Sequence, residues 1–489
     1  MSNVPLPYRA LKAHVRFITE GLYYKESIVE GIENIPSDGT STLIASNHQN
    51  SMNDALEVIL AINDRKPCCI VRGDVFALSQ GVNKFLRSLG LLPAFRLGYE
   101  GAEAMKKNAD TFKMSEQALA DGETVLIFPE GGHARGHWLN VFKSGMAKMA
   151  FEAAELNNFE KEIFIVPTCN HYSSYKGIRL KSLVRFGEKV PVSPLYELYK
   201  TKPRTAIRNL SEIVRSKIES MVLDEKDKEF YYEMEYIRGG KAGREFAIAG
   251  GYDPDNFSQR FESDKMLIAK FLKARTDENP YFRVVKTDEG MSVEECAAKQ
   301  IAEQAEAKAR EGLLIDTPGE AEQALLGVRG LLAELKKEKL QDSQFDRHPS
   351  KCNAVLKAVL LLALLPAAIF SLWPSALSWF LPKYFSDRMK KKSPMFEGTF
   401  LIALNVLIVS PLAGILSFIL VGLKYTFFLA LLYILTFPAL CLFEWHYCQG
   451  VKSLAGDCRW FKAERSGETK KLEELRESVL EQVKAVSGK

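Results

Sequence analysis

The stretch Thr42-Leu43-Ile44-Ala45-Ser46-Asn47-His48-Gln49-Asn50-Ser51-Met52-Asn53-Asp54 decides how this chain is read. It opens on a short apolar run and passes into a polar turn. A second apolar run, Ala55-Leu56-Glu57-Val58-Ile59-Leu60, follows. That order predicts a buried strand, a turn and then a helix. Asp54 falls in the first helical turn, where negative charge is favoured. His48 and Asp54 are six residues apart. On one regular helix that spacing splays them roughly 240° around the axis. They meet only if His48 lies in the turn and Asp54 in the helix. Asp54 then accepts from one ring nitrogen and leaves the other as a proton acceptor, as in an oriented general base. The plainer alternative is an Asn/Ser-rich turn that caps a helix.

Further strand-like runs follow at Cys68–Val71, Leu91–Phe95, Thr124–Phe128, Ile163–Pro167 and Leu183–Gly187. Apolar residues at helical spacing predict helices over 8–30, 76–89, 102–120 and 143–156. Alternation of this kind predicts an α/β fold, a mostly parallel sheet flanked by helices. Such sheets bind ligands beyond the carboxyl ends of their strands. His48, Arg72, Arg96 and Glu130 each stand just past such an end. Four reactive groups on one rim weigh more than one histidine in a turn.

The remainder divides by composition. Residues 1–40 form an N-terminal region with an amphipathic helix, and 41–193 hold the α/β domain. Residues 194–350 are charged and mostly helical, with Gly239-Gly240-Lys241-Ala242-Gly243 read as a loop that lacks the phosphate-loop pattern. Three uncharged runs, 358–382, 398–423 and 425–443, span 25, 26 and 19 residues, against the roughly 20 that cross a bilayer as a helix. They predict C-terminal transmembrane helices, followed by a cytoplasmic tail at 451–489. The loop 383–393 holds five Lys/Arg and one Asp, which predicts a cytoplasmic position. Pro366 and Pro374 interrupt the first run. Basic residues on both its flanks favour a re-entrant pair, which keeps the N-terminal portion cytoplasmic. Met1–Tyr8 has no apolar core of a secretory signal. A net charge of +4 over 489 residues argues against a general nucleic-acid binder. The eight cysteines form no C-x-x-C pair, so neither a zinc framework nor a disulfide framework is expected. His133 and His137 lack the surroundings of a helical zinc motif, and no metal is expected there. His171 reads as structural.

Four blocks, in order, resemble the phospholipid/glycerol acyltransferase (PlsC-like) family over roughly residues 20–190. They are Asn47-His48 with Asp54, then Leu92-Pro93-Ala94-Phe95-Arg96, then Phe128-Pro129-Glu130-Gly131, then Ile165-Val166-Pro167-Thr168. The family's usual spacing is H-x-x-x-x-D. Here five residues intervene, and Asn53 stands at the usual acid position. The branch related to fungal glycerol-3-phosphate/dihydroxyacetone-phosphate acyltransferases is similar in this spacing, in a doubled glycine after Phe-Pro-Glu and in its C-terminal membrane segments. Asp54 is therefore kept as the partner of His48, with Asn53 as fallback.

The apolar runs and their basic flanks imply an integral membrane protein with its catalytic domain on the cytoplasmic side, and the resemblance implies an O-acyltransferase. It would move a fatty acyl group from an acyl thioester (acyl-CoA or acyl carrier protein) to the hydroxyl of glycerol-3-phosphate, yielding lysophosphatidate. Lysophosphatidate itself is the alternative acceptor, and a non-catalytic lipid-binding member is the rival. That rival predicts a lost His or Glu, and His48 and Glu130 are both present. His48 would take the proton of the attacking alcohol directly, and Asp54 would stabilise the imidazolium that forms. No enzyme nucleophile and no cofactor are implied. The phosphate of the acceptor calls for a cation. Arg96 is first choice, since guanidinium offers a bidentate fork, then Arg135, then Arg72 and Lys143. Glu130 would hold the acceptor's hydroxyl or anchor the loop. Gly131 and Gly132 would let main-chain N–H groups approach the substrate.

Overall fold

The computed structural model describes residues 4–73, 76, 79–94, 97–175, 177–288, 290–310, 318–375, 383–384, 387–388, 396–406, 415, 419 and 427–488. The chain divides into two units. One comprises Met1–Asp224 with Lys286–Met291 and Met389–Ile402; the other comprises Glu225–Val285, Ser292–Arg388 and Ala403–Lys489.

In the first unit the run at 42–46 is strand β2, after the edge strand β1 (Tyr24–Glu30). It is followed by α2 (Met52–Ala61), the helix α1 being Leu6–Ile18. Then come β3 (Cys68–Arg72), α3 (Gln80–Ser88), β4 (Leu91–Ala94), α4 (Leu97–Ala120), β5 (Thr124–Ile127) and α5 (Gly145–Leu156). The sheet closes with β6 (Phe164–Tyr172), β7 (Leu180–Phe186) and β8 (Val190–Pro191). The eight strands run in the order β1-β7-β6-β2-β5-β3-β4, with β8 on β6. Pairing is parallel except for β6 with β7 and with β8. The fold is thus the expected mixed α/β sheet flanked by helices.

All five residues of β2 are buried. An uninterrupted apolar strand is what a central position covered on both faces requires. Ala45 sits opposite Ile127 of β5 and Pro167 of β6. The carboxyl ends of β2, β5 and β6 therefore open onto one rim. Beneath that rim Ile44, Leu126, Val166, Val184 and Phe186 pack against Ala55, Val58 and Ile62 of the α2 segment. Burying each such side chain contributes about 1.5–3 kcal/mol, so the helix that carries Asp54 is fixed by its apolar face.

The helix expected over 8–30 ends at Ile18. After one π-turn the chain becomes β1, which pairs with β7. Lys25, Glu26 and Glu30 lie on this partly exposed edge strand, where Glu26 pairs with Lys181 and Glu30 with Arg185 across the strands. Charges on an edge also discourage pairing with another chain.

The second unit is helical. The helices Tyr231–Gly239 and Lys241–Ala249 meet at Gly240. The glycine-rich stretch is therefore a one-residue break between helices rather than a loop. Arg275 of the helix Phe257–Glu278 is buried and bonds Asp227, Glu229 and Glu322. Among the described residues one helix, Lys351–Leu372, is long and apolar enough to cross a membrane. It runs on through Pro366 to Ser375, so the break expected at that proline is not there. A helix tolerates proline when neighbouring groups meet the freed carbonyl. The remainder of that run, 376–382, and most of 398–423 lie outside the described residues. The run 425–443 enters a 39-residue helix, Phe427–Arg465. This helix lies antiparallel along Lys351–Ser375. Lys357 Nζ meets Asp457 at 2.6 Å, and Ser371 donates to Glu444 at 2.8 Å.

Candidate active site

His48 lies in the turn after β2, outside the helix, and its Nδ1 is 2.8 Å from Asp54 Oδ2. The same oxygen accepts from the main-chain N–H of Gln49 and of Asn50, at 2.8 and 2.7 Å. Asp54 occupies the third position of α2 and reaches back over the turn, as an acid does in a capping box. Between His48 and Asp54 the chain bends at Ser51, whose φ is 52°. Asn53 N bonds back to Asn50 O at 3.0 Å across that bend. Asn53, the fallback partner, is buried but does not bond His48; Asp54 does. An ionised carboxylate only accepts hydrogen bonds. Asp54 therefore holds the imidazole proton at Nδ1 and leaves Nε2 with a lone pair.

The loop after β5 pins the main chain of the same histidine. His48 N–H donates to Glu130 Oε1 at 2.7 Å, and Ala134 N–H donates to His48 O at 2.8 Å. The other oxygen of Glu130 accepts from Asn140 N–H at 2.8 Å. Both carboxylate oxygens are thus taken by main-chain donors, and the residue is 0 % exposed. Of the two roles expected for Glu130, this geometry is that of a loop anchor. Burial pushes its carboxyl up to about 8, against the pull of the two N–H donors. The His48 ring stacks on Phe128 with centroids 4.1 Å apart. Its side chain keeps 18 % exposure. Ring, N–H and C=O are each held by a different residue, yet the ring still reaches solvent.

Gly131 has φ +74°, a conformation that side chains strain to adopt, and an added Cβ would come 3.3 Å from Lys143 Cγ. Lys143 therefore lies over this turn, and its N–H bonds Pro129 O at 2.7 Å. Its exposed ammonium is 3.7 Å from Asp288. Arg135 is half-buried in the same loop. Arg72 ends β3, two strands from β2, or about 10 Å along the rim at the usual strand spacing. Arg96, the first choice for phosphate, lies outside the described residues. The structure thus gathers His48, Asp54, Glu130, Gly131 and the main chain of Lys143. No group of three or more His, Cys, Asp or Glu suited to a metal occurs among the described residues. Burial pushes the thiols of Cys68 and Cys69 up, Cys68 to about 12, so neither is a thiolate near neutral pH.

Residues beyond the fourth block, which carry no role in the four-block pattern, complete the frame. Asn47 and Asn170 exchange two bonds: Asn170 N–H to Asn47 Oδ1 at 2.7 Å and Asn47 Nδ2 to Asn170 O at 3.0 Å. Tyr175 donates to Gln49 Oε1 at 2.7 Å. Alternate residues of a strand share a face, so a polar Asn170-x-Tyr172 pair at the end of an apolar strand was the available signal.

Glu57, one turn beyond Asp54, accepts from Ser182 Oγ at 2.5 Å. Burial pushes its carboxyl up from 4.5 to about 7. An acid raised on folding gives stability that is complete below pH 4.5 and is lost as pH rises through about 7. Glu57→Gln is expected to remove that part of the slope, worth about 3 kcal/mol at the alkaline end. Thermal midpoints of both proteins between pH 5 and 8 check it. Parallel curves would mean that Glu57 does not titrate there.

Residues 26–171 match the family model described as Acyltransferase. Among solved structures the chain is similar to the crystal structure of the 1-acyl-sn-glycerophosphate (LPA) acyltransferase PlsC from Thermotoga maritima. The two are 19% identical over 44% of this chain and 79% of that one, with a TM-score of 0.31. No curated protein matches. The stretch that matches this family model, 26–171, contains His48, Asp54 and Glu130.

Proposed function

We propose that the protein is a membrane-bound O-acyltransferase that moves a fatty acyl group from an acyl thioester to the hydroxyl of glycerol-3-phosphate. The observation that carries this reading is the fixing of His48 at three points with Nε2 left as acceptor. The acceptor's hydroxyl gives its proton to Nε2 as its oxygen attacks the thioester carbonyl. The imidazolium formed is stabilised by Asp54. The tetrahedral intermediate then collapses, the C–S bond breaks, and the proton on Nε2 goes to the departing sulfur. The products are an ester and a free thiol, with no covalent enzyme intermediate and no cofactor. Arg96, Arg135, Arg72 and Lys143 are the candidate cations for the acceptor phosphate. The acyl donor is acyl-CoA or acyl carrier protein. The branch resemblance favours glycerol-3-phosphate over lysophosphatidate and dihydroxyacetone phosphate.

Membrane attachment would run through 358–382, 398–423 and 425–443. In support, Leu356, Leu362, Ile369 and Phe370 of the helix Lys351–Ser375 are exposed, apolar and many, as a lipid-facing surface requires. The end where this helix begins and its antiparallel neighbour leaves carries Lys351, Lys357, Lys452, Arg459 and Lys462. Positive charge at one end favours the cytoplasmic side for it.

The test is acyl transfer by the purified full chain to glycerol-3-phosphate, dihydroxyacetone phosphate and lysophosphatidate, side by side with one acyl-CoA. Glycerol-3-phosphate is expected to give the highest kcat/KM. A preference for lysophosphatidate would overturn the acceptor assignment, and no transfer to any would overturn the enzymatic reading with this donor.

A further inference from the structure

Asp54 is 0 % exposed, so every lone pair it uses must meet a protein donor. Oδ2 serves His48, Gln49 and Asn50. Oδ1 accepts from the hydroxyl of Tyr172 at 2.8 Å. Tyr172 is also 0 % exposed and lies 118 residues away in sequence, at the end of β6. Its place there is set by the sheet. The Asn47–Asn170 exchange ties the end of β6 to the turn, and Asn170 Nδ2 adds a bond to Ser46 Oγ at 2.9 Å. Two residues on, the same strand face presents Tyr172. The Tyr24 ring stacks on that of Tyr172, with centroids 6.1 Å apart.

We propose that Tyr172 is a positioning residue for the base: its hydroxyl holds Oδ1 of Asp54, fixing the rotation of the carboxylate that orients His48 and dividing its charge between two oxygens. This rests on the reading of His48 as general base. Without the phenol, Oδ1 is a buried anionic acceptor that has lost its donor, and such a group either turns toward another donor or takes up a proton. Either change disturbs the Oδ2 geometry that fixes Nδ1–H. Burial and the nearby Asp54 push the Tyr172 hydroxyl well above its ordinary value, so it remains a donor throughout the working range. A mere core tyrosine would need any acceptor. This one meets the single carboxylate that orients the ring, on the oxygen that His48 does not use.

The experiment compares wild type, Tyr172→Phe and His48→Ala as purified full chains. Tyr172→Phe keeps the ring and its stacking and removes one oxygen. Its kcat is expected to fall about 10-fold or more, with both KM values little changed. While Asp54 stays ionised, its charge concentrates on the oxygen facing His48 and favours the imidazolium. The acid limb of the kcat/KM–pH profile is therefore expected to move up by about half a unit. A purely structural tyrosine would leave that limb in place. Replacement of Tyr172 by 3-fluorotyrosine, a more acidic phenol of nearly the same shape, is expected to move the limb down, and it serves also if the phenylalanine variant does not fold. Limbs that stay put in the folded variants overturn the proposal while His48→Ala is inactive. An active His48→Ala would overturn the base reading, and the positioning role with it.

Discussion

His48→Ala lowers kcat for acyl transfer by about a thousandfold, within the 10²–10⁴ that a positioned general base supplies. The thermal midpoint stays within a few degrees of wild type. The main-chain bonds of this residue, to Glu130 and from Ala134, do not depend on its side chain. Asp54 keeps its bonds from Gln49, Asn50 and Tyr172 when the ring is gone. The carboxylate therefore stays paired, and the cost to folding is small beside the cost to the chemistry. The residual rate is expected to rise with pH, because solvent hydroxide then takes the proton that Nε2 would have taken. Rates from pH 6 to 9 with saturating donor check both points. A variant that keeps more than a tenth of wild-type kcat would mean that the alcohol is deprotonated elsewhere.

The turn at 46–54 was legible because its logic is local: strand, turn, then an acid in the first helical turn. The strands β2, β3, β4 and β5 were legible for the same reason, as short apolar runs bounded by polar turns. Edge strand β1 was not. Its burial is partial and its charges are satisfied across the sheet by Lys181 and Arg185. Those partners lie some 155 residues away, as the Arg185–Glu30 bond records. The second half of the site was hidden in the same way. Asn170, Tyr172 and Tyr175 matter only because β6 lies beside β2, a neighbour relation that periodicity does not encode. The Pro366 break failed for a different reason. A proline rule weighs one backbone bond, whereas the helix Lys351–Ser375 is held along its length by Phe427–Arg465.

The second large effect belongs to Glu130, and it separates the two roles that the sequence left open. If Glu130 anchors the loop, Glu130→Gln loses kcat by about a hundredfold and also lowers the thermal midpoint. A glutamine has one oxygen where the glutamate has two, and its NH₂ faces one of the two main-chain donors, His48 N–H or Asn140 N–H. A buried N–H left unmet costs about 1–3 kcal/mol. In a domain of this size that is a drop of several degrees, at roughly 2–4 °C per kcal/mol. The acceptor's KM should then change little, because the base has shifted while the pocket has not lost a substrate contact. If Glu130 instead held the acceptor's hydroxyl, KM would rise and the midpoint would stay. The pH dependence gives a further check. Burial raises this carboxyl from 4.5 to about 8. Its contribution to wild-type stability is complete below pH 4.5 and declines as pH rises through about 8. Glutamine does not titrate. The gap between the two midpoints should therefore narrow steadily from pH 5 to pH 8, and a gap that widened would place the anionic form, doubly bonded by N–H groups, as the one that folding prefers.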